Sequence, residues 1–443
     1  MFLRAISIIS SMTLISRVLG YTRDLLIAKV LGAGLISDAF FIAFKLPNLF
    51  RRLFAEGSMN AAFIPVISGI SEKSGKKKSD EFFSSIFSGL LIVLLTIILI
   101  VEIFMPLIVN LIAPGFTKNP DKFSLAVDLS RLTFPFVLFV CLTSLAGAYL
   151  NTMGKFASMA ITPIILNLTM IFTLLIFHND GNKVYISNNL SLAVSFAGIL
   201  QVLWIILNLK VNGVKLKLNL FDISFFKKPK GETKRFLILL LPAVIGNGAY
   251  QLNLLIDMIL ASTLPDGSIS YLYYADRVNQ LPLGVLGIAI STALLPILSS
   301  QLKKKENKKA NESLNNAIKF GIIFSIPSLF GLVLLSDEII SFLFYRGAFD
   351  LLDVNFTWSA LIALAFGLPA FIIIKILVVP YFADEDTKTP IKVSIFSMII
   401  NLILNLILIK EYLHVGLAIA TSVSAWINAL ILFYILTVRK KYF

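Results

Sequence analysis

The sequence is short of the residues on which most catalytic and soluble proteins rely. It has one cysteine, Cys141, and two histidines, His178 and His414. A single cysteine excludes an intrachain disulfide, and its apolar setting reads as a small buried hydrophobe. The histidines fall at the edges of apolar runs with no metal-ligand spacing, and Cys141 has no catalytic partner in view. No Walker sequence is present, so the chain has no P-loop with which to consume a nucleotide. These absences argue against an enzyme. Charge is also scarce: 14% of the 443 residues are charged against 57% hydrophobic, which excludes a soluble globular chain. Acidic residues are the scarcer sign, 25 Asp and Glu against 39 Lys and Arg. The one acidic run, Asp384-Glu385-Asp386, reads as a solvated connector rather than a metal site. The N-terminal apolar run is followed directly by Arg17 and Arg23 with no small-x-small cleavage site, so the first helix is expected to be retained.

What fills the sequence is long apolar runs. A spanning helix needs about 20 mostly apolar residues, and twelve such runs are found. They cover Ile6–Leu31, Ser37–Ile67, Phe83–Ile112, Leu125–Leu150, Ala157–Phe177, Leu190–Leu209, Phe236–Ser262, Ser270–Ser299, Ala317–Leu335, Phe356–Tyr381, Ile391–Ile409 and Val415–Val438. The basic residues crowd into alternate connectors: Lys73 and Lys76 to Lys78, Lys155, Lys210 to Arg235, Lys303 to Lys309, Lys388 and Lys392, and the tail Arg439 to Lys441. The other connectors hold only Lys118, Lys122, Lys183, Arg346 and Lys410. By the positive-inside rule both termini are expected to be cytoplasmic. The same distribution explains the net charge of +14 without a nucleic-acid partner.

One stretch echoes another. Ile36-Ser37 to Pro47 and Pro65, ahead of a lysine-rich connector, corresponds to Ile269-Ser270 to Pro282 and Pro296, ahead of a second one. The echo predicts an all-α, polytopic membrane protein of two six-helix lobes in pseudo-symmetric repeat, residues 1–209 and 236–443, joined by a cytoplasmic linker at 210–235. A central cavity between such repeats is the expected site.

Charges at bilayer depth are costly and normally line a protein-walled cavity. The first two runs carry Arg17, Arg23, Asp24, Lys29, Asp38, Lys45, Arg51 and Arg52. Arg17 and Asp24 are seven apart and share a helix face, with Arg23 about 120° round. Asp38, Lys45 and Arg52 form a seven-residue stripe with Asn48 and Arg51 beside it. Pro47 should kink this run near mid-depth, and both arginines are expected well inside it. The echoed run adds Asp276-Arg277 and Gln280. Arginine is planar, bidentate and always charged, so several arginines on one cavity suit a diphosphate anion. A cation exporter would need carboxylates to dominate. Separately, Asp257, Asn401, Asn405 and Thr421 supply oxygens from three runs. They either bond between helices or hold a monovalent cation.

These stretches resemble one family closely, the MurJ (MviN) lipid II flippases of the multidrug/oligosaccharidyl-lipid/polysaccharide exporter superfamily. The likeness is carried by Ser16-Arg17-Val18-Leu19-Gly20 with Arg23-Asp24, Gly32-Ala33-Gly34, Ser37-Asp38-Ala39-Phe40-Phe41, Lys45-Leu46-Pro47-Asn48-Leu49, and Arg51-Arg52 through Phe54-Ala55-Glu56-Gly57. It continues in Ala113-Pro114-Gly115-Phe116, Leu150-Asn151-Thr152, Tyr273-Tyr274-Ala275-Asp276-Arg277, Gly284-Val285-Leu286-Gly287 and Lys388-Thr389-Pro390. The resemblance implies a bacterial inner-membrane protein that moves lipid II, the undecaprenyl-diphosphate-linked muropeptide, to the periplasmic leaflet by alternating access. It implies cavity arginines at Arg17, Arg23, Arg51 and Arg277 and a functional aspartate at Asp38, with Ser16 and Asn48 nearby; Asp24 and Arg52, beside them on the same two helices, complete the expected substrate-binding set. It implies a sodium site at Asp257, Asn401, Asn405 and Thr421, where Asn405 replaces an aspartate typical of the family. The partners implied are lipid II, membrane lipids and the peptidoglycan synthesis machinery, with no other cofactor and with drive from the membrane potential or an ion gradient. The family usually has fourteen helices, the last pair helping to form a groove for the polyprenyl tail, against the twelve runs here. A flippase for another undecaprenyl-linked glycan, and a non-transporting envelope scaffold, are the alternative readings.

Overall fold

The computed structural model describes residues 2–52, 58–218 and 231–438. Among these the regular structure is helical, and the one β-bridge joins Arg346 to Phe349. The first half contains α1 (Phe2–Leu31), α2 (Leu35–Phe50), α3 (Ser58–Ile103), α4 (Met105–Ile112), α5 (Pro120–Thr133), α6 (Phe136–Thr152), α7 (Phe156–Ala160), α8 (Thr162–Phe177) and α9 (Lys183–Val211). Then follow α10 (Gly231–Ser262), α11 (Ser268–Pro282), α12 (Ile288–Lys303), α13 (Asn307–Leu334), α14 (Ser336–Phe344), α15 (Leu351–Ala365), α16 (Leu368–Ala383) and α17 (Lys388–Val438). Seven helices among the described residues are long and apolar enough to cross a membrane, or eight if α15 and α16, bent by 40°, count as one span. Twelve runs map onto fewer long helices partly because α17 carries two of them, reversing at Leu413 (φ 49°). Exposed apolar stripes such as Leu168, Phe172, Leu175 and Ile176 on α8 suit acyl chains rather than water. The chain is a multi-pass membrane protein. Phe54 to Gly57, Lys227, Lys228 and Lys230 of the linker, and the basic tail Arg439 to Lys441 lie outside the described residues.

The chain divides into two compact units, residues 1–31 with 35–255 and residues 32–34 with 256–443. In the first, α2 packs on α5, α3 on α6, α6 on α9 and α1 on α8. In the second, α11 packs on α15, and α16 on α12, α13 and α17.

The second apolar run departs from its expectation. Its α-helical part, α2, runs to Phe50, Arg51 and Arg52 form a wider π turn, and the next described element opens at Ser58, with residues 53–57 outside the described residues. Arg51 and Arg52 therefore lie where the helix widens, just past the α-helical part of α2. The cause is Pro47, which lacks the N–H that would bond the Ala43 carbonyl and loosens the turn that follows. The echoed helix behaves alike: Pro282 ends α11 and a π-helical turn, Leu283–Gly287, follows it. The echo thus extends from residue types to backbone geometry.

Away from water, every carbonyl released by such a break needs another donor. Thr133 Oγ1 of α5 donates to Ala43 O at 2.8 Å, and Ser195 Oγ of α9 to Leu132 O at 2.5 Å. At the α15–α16 bend, Ser422 Oγ donates to Ala363 O at 2.6 Å and Trp426 Nε1 to Phe366 O at 2.8 Å. Gly367 is required there, since a Cβ would lie 2.6 Å from Ser422 Oγ. Thr133→Val keeps the shape and removes the donor, leaving the Ala43 carbonyl unsatisfied. A loss of about 1–3 kcal/mol is expected, visible as a lower unfolding midpoint in detergent, while Thr133→Ser should retain most of the stability.

Candidate functional site

The charges of α1 and α2 are sorted by burial. Arg23 and Asp24 are 4% and 1% exposed. Neighbouring helix positions point apart, and the sequence reading placed Arg23 away from Asp24. The long arginine stem overcomes this by curling back. Its Nε and Nη2 donate to Asp24 Oδ1 at 3.0 and 2.7 Å, and Nη1 donates to Asn167 Oδ1 of α8 at 2.9 Å. The guanidinium lies over the Phe44 ring, 5.2 Å from its centroid. Asn167 is itself anchored, donating from Nδ2 to Ser16 O at 3.0 Å.

Asp38 is in the first turn of α2, where the helix dipole favours a carboxylate. Its partner is Lys122, whose Nζ donates to Asp38 Oδ2 at 2.9 Å, with both side chains buried. Lys122 also sits 4.2 Å from the centroid of the buried Phe116 ring. Lys122 was counted above among the connector lysines on the sparsely charged side. It is instead an internal ligand of Asp38. Asn119 caps α5 by accepting from Lys122 N at 3.2 Å, with Pro120 at the first helical position. That start places Lys122 in the first turn, on the face packed against α2.

The remaining positions are more open. Arg17 and Arg52 are exposed, while Asn48 and Arg51 are half-buried. Asn48 Nδ2 donates to Phe44 O at 2.8 Å, and its Oδ1 accepts from Arg51 Nε at 3.1 Å. Asn48 thus aims the guanidinium through a neutral oxygen. In the second unit Arg277 is half-buried. It donates from Nη2 and Nε to Tyr273 Oη at 2.9 and 3.3 Å and stacks 5.1 Å from that ring's centroid. Gln280 donates to Asp276 beside it.

The second candidate group converges within the second unit. Asn405 Nδ2 donates to Asp257 Oδ1 at 2.8 Å and to Asn401 Oδ1 at 3.0 Å. The Thr421 hydroxyl bonds Leu417 O of its own helix at 2.9 Å. Asn405 Oδ1 is buried without a hydrogen-bond partner. Among the described residues no cluster of His, Cys, Asp and Glu is arranged to hold a metal, so this group offers a carboxylate and amides, hard neutral-to-anionic oxygens.

Two residues that hold the buried charges, and one isolated lysine, stand outside the set expected from the sequence. Lys122 and Asn167 are the partners that neutralise and orient the buried charges. Lys375 stands exposed in the middle of the otherwise apolar α16. Each had a signal: Asn-Pro before Lys122 marks a helix start, and a lone amide or lysine in an apolar run marks a functional position.

A family model described as "Lipid II flippase MurJ" matches residues 27–443. A probable lipid II flippase MurJ of Rickettsia prowazekii is 41% identical over 438 residues, covering 98% of this chain and 83% of that protein. Those of Rhizobium tropici and Haemophilus influenzae are each 38% identical, over 95% of this chain and 78% and 84% of the relatives. Among solved structures, a lipid II flippase MurJ in an inward closed conformation aligns at TM-score 0.84 and 34% identity, over 97% of this chain and 87% of that one. An inward-facing multidrug resistance MATE family transporter aligns at TM-score 0.77 and 14% identity, over 99% of this chain and 98% of its own, a likeness of fold.

Proposed function

Because the chain belongs to the lipid II flippase MurJ family, we propose that it carries lipid II from the cytoplasmic to the periplasmic leaflet of a bacterial inner membrane. No bond is made or broken in this task. The difficulty is physical: a charged diphosphate head group must cross an apolar layer. The observation that best supports the reading is the division of charge in the first unit. Asp24 and Asp38 are held by Arg23 and Lys122 inside the protein. Arg17 and Arg52 stay exposed, and Arg51 is aimed by Asn48. What this unit offers a ligand is therefore arginine, the side chain suited to bidentate recognition of phosphate. Arg277, steadied by Tyr273, is the contribution of the second half.

Transport would proceed by alternating access of two six-helix lobes, 1–209 and 236–443, about the 210–235 linker. Both termini would be cytoplasmic, as the lysine-rich connectors demand. The peptidoglycan synthesis machinery would deliver and collect the precursor. Drive would come from the membrane potential or from an ion. Asp257, Asn401, Asn405 and Thr421 would hold a monovalent cation such as sodium, and the partnerless Asn405 Oδ1 is the oxygen that most needs one. Sodium should then raise the unfolding midpoint of the purified protein relative to choline, and Asp257→Asn should abolish the shift. An equal shift in that variant would remove the site. For the transport reading, the test is expression in cells depleted of their own lipid II flippase. Restored growth is expected, and lysis despite normal membrane insertion would defeat it.

A further inference from the structure

A groove outside the site just described carries its own chemistry. Helix α9 ends at Val211, and Gly213, at φ 69°, turns the chain back along α3. The returning segment is laced to α3 through its backbone. Lys76 Nζ donates to Asn212 O at 3.1 Å, Lys215 N donates to Asp80 Oδ2 at 3.4 Å, and Lys217 N donates to Ser84 Oγ at 3.1 Å. Asp80 is further held by Tyr149 Oη, which donates to its other oxygen at 2.6 Å. Successive side chains of an extended chain alternate in direction. Lys215 and Lys217 therefore project together, and Val214 is buried.

With Lys77, Glu81, Ser85 and Ser88, these two lysines line a cavity of about 320 Å³. That is at the lower end of ligand-pocket volumes, roughly 300–1,000 Å³. The ion pairs among the described residues include none of Lys77, Lys215 and Lys217. Asp80 is occupied by its two donors, which leaves Glu81 as the one lining carboxylate facing three ammonium groups. The level is also defined. On α3 the lysine run 76–78 gives way within two to three turns to the apolar stretch, and Ser84, Ser85 and Ser88 mark the passage. Such a junction of a lysine run with an apolar stretch is expected at headgroup depth on the side of the lysine-rich connectors, where lysine stems lie in the apolar layer and their ends reach the surface.

We propose that this groove, between α3 and residues 214–218, binds the headgroup of an anionic phospholipid, with Lys77, Lys215 and Lys217 on the phosphate and the serine hydroxyls beside it. A basic pocket at the membrane surface is a known way of selecting such lipids. The site holds the return of α9 against α3 and so ties the start of the linker to lipid composition.

The test uses native mass spectrometry of the full chain with added phosphatidylglycerol or phosphatidylcholine. The unmodified protein should retain phosphatidylglycerol preferentially. Each neutralised lysine should reduce that preference about fivefold, so Lys215→Gln with Lys217→Gln should reduce it roughly twenty-five-fold. Lys303→Gln with Lys304→Gln, in another lysine run, should leave it intact. Lys77→Gln, on the exposed face of α3, gives an independent arm if the double variant is not recovered folded, with a reduction of about fivefold expected. Equal retention by all variants would overturn the proposal. So would complete displacement of the lipid by inorganic phosphate, which would mark a site for a soluble anion.

Discussion

Lys122→Met is expected to be among the most destabilising single replacements in the first unit. The lysine and Asp38 are both buried, 2.9 Å apart. Removing one partner leaves an uncompensated charge in the interior, a loss of about 3–5 kcal/mol. The side chain also packs on Phe116, and methionine preserves that volume, so the effect isolates the charge. The unfolding midpoint in detergent should fall sharply for Lys122→Met. It should recover in the double variant with Asp38→Asn, because two neutral groups have no buried charge to strand. The double variant also separates two roles for Asp38. If the carboxylate serves only to hold Lys122, the stable double variant transports normally. If Asp38 also touches substrate, that variant is stable and inactive. A Lys122→Met protein as stable as its parent would show that the pair is not closed in the membrane.

The fold was legible because a bilayer leaves few alternatives: apolar runs of spanning length become helices, and among the described residues the twelve runs are mostly helical, though broken by turns such as those at Phe104, Phe134–Pro135 and Phe366–Gly367. Prolines were legible in part. Pro47 was rightly a point of weakness, but sequence alone does not say that the helix widens into a π turn at Arg51 and Arg52. That outcome depends on Thr133, ninety residues on, taking over the Ala43 carbonyl.

Site residues were legible as anomalies and illegible as pairs. Helix geometry placed Arg23 and Asp24 on different faces, yet a flexible stem closed the gap and Asn167 and Phe44 fixed it there. Lys122 looked like a connector lysine because charge counting ignores helix starts, although Asn119-Pro120 announces one. Asp257, Asn401 and Asn405 do meet, whereas the Thr421 hydroxyl turns to Leu417 O of its own helix, a choice that no spacing argument could anticipate.

Arg51→Glu is expected to abolish growth of cells that depend on this protein for lipid II export, at unchanged membrane abundance. Unlike Arg23, Arg51 is only half-buried and sits at the loosened end of α2. Reversing its charge therefore disturbs ligand attraction more than packing. Its alignment by Asn48 makes the prediction graded. Arg51→Lys keeps the charge and loses the planar fork, and one charge-assisted hydrogen bond is worth about 1.5–3 kcal/mol, roughly ten- to a hundred-fold in transport. Asn48→Ala keeps the arginine but frees its orientation, and the loss of one ordinary hydrogen bond, about 1 kcal/mol, corresponds to about fivefold. The order Glu below Lys below the Asn48 variant, read in proteoliposome translocation, distinguishes a phosphate-gripping arginine from a structural one. A structural arginine would reverse it: Arg51→Lys would be nearly silent and the losses would track unfolding midpoints. Full transport by Arg51→Glu would remove Arg51 from the site altogether.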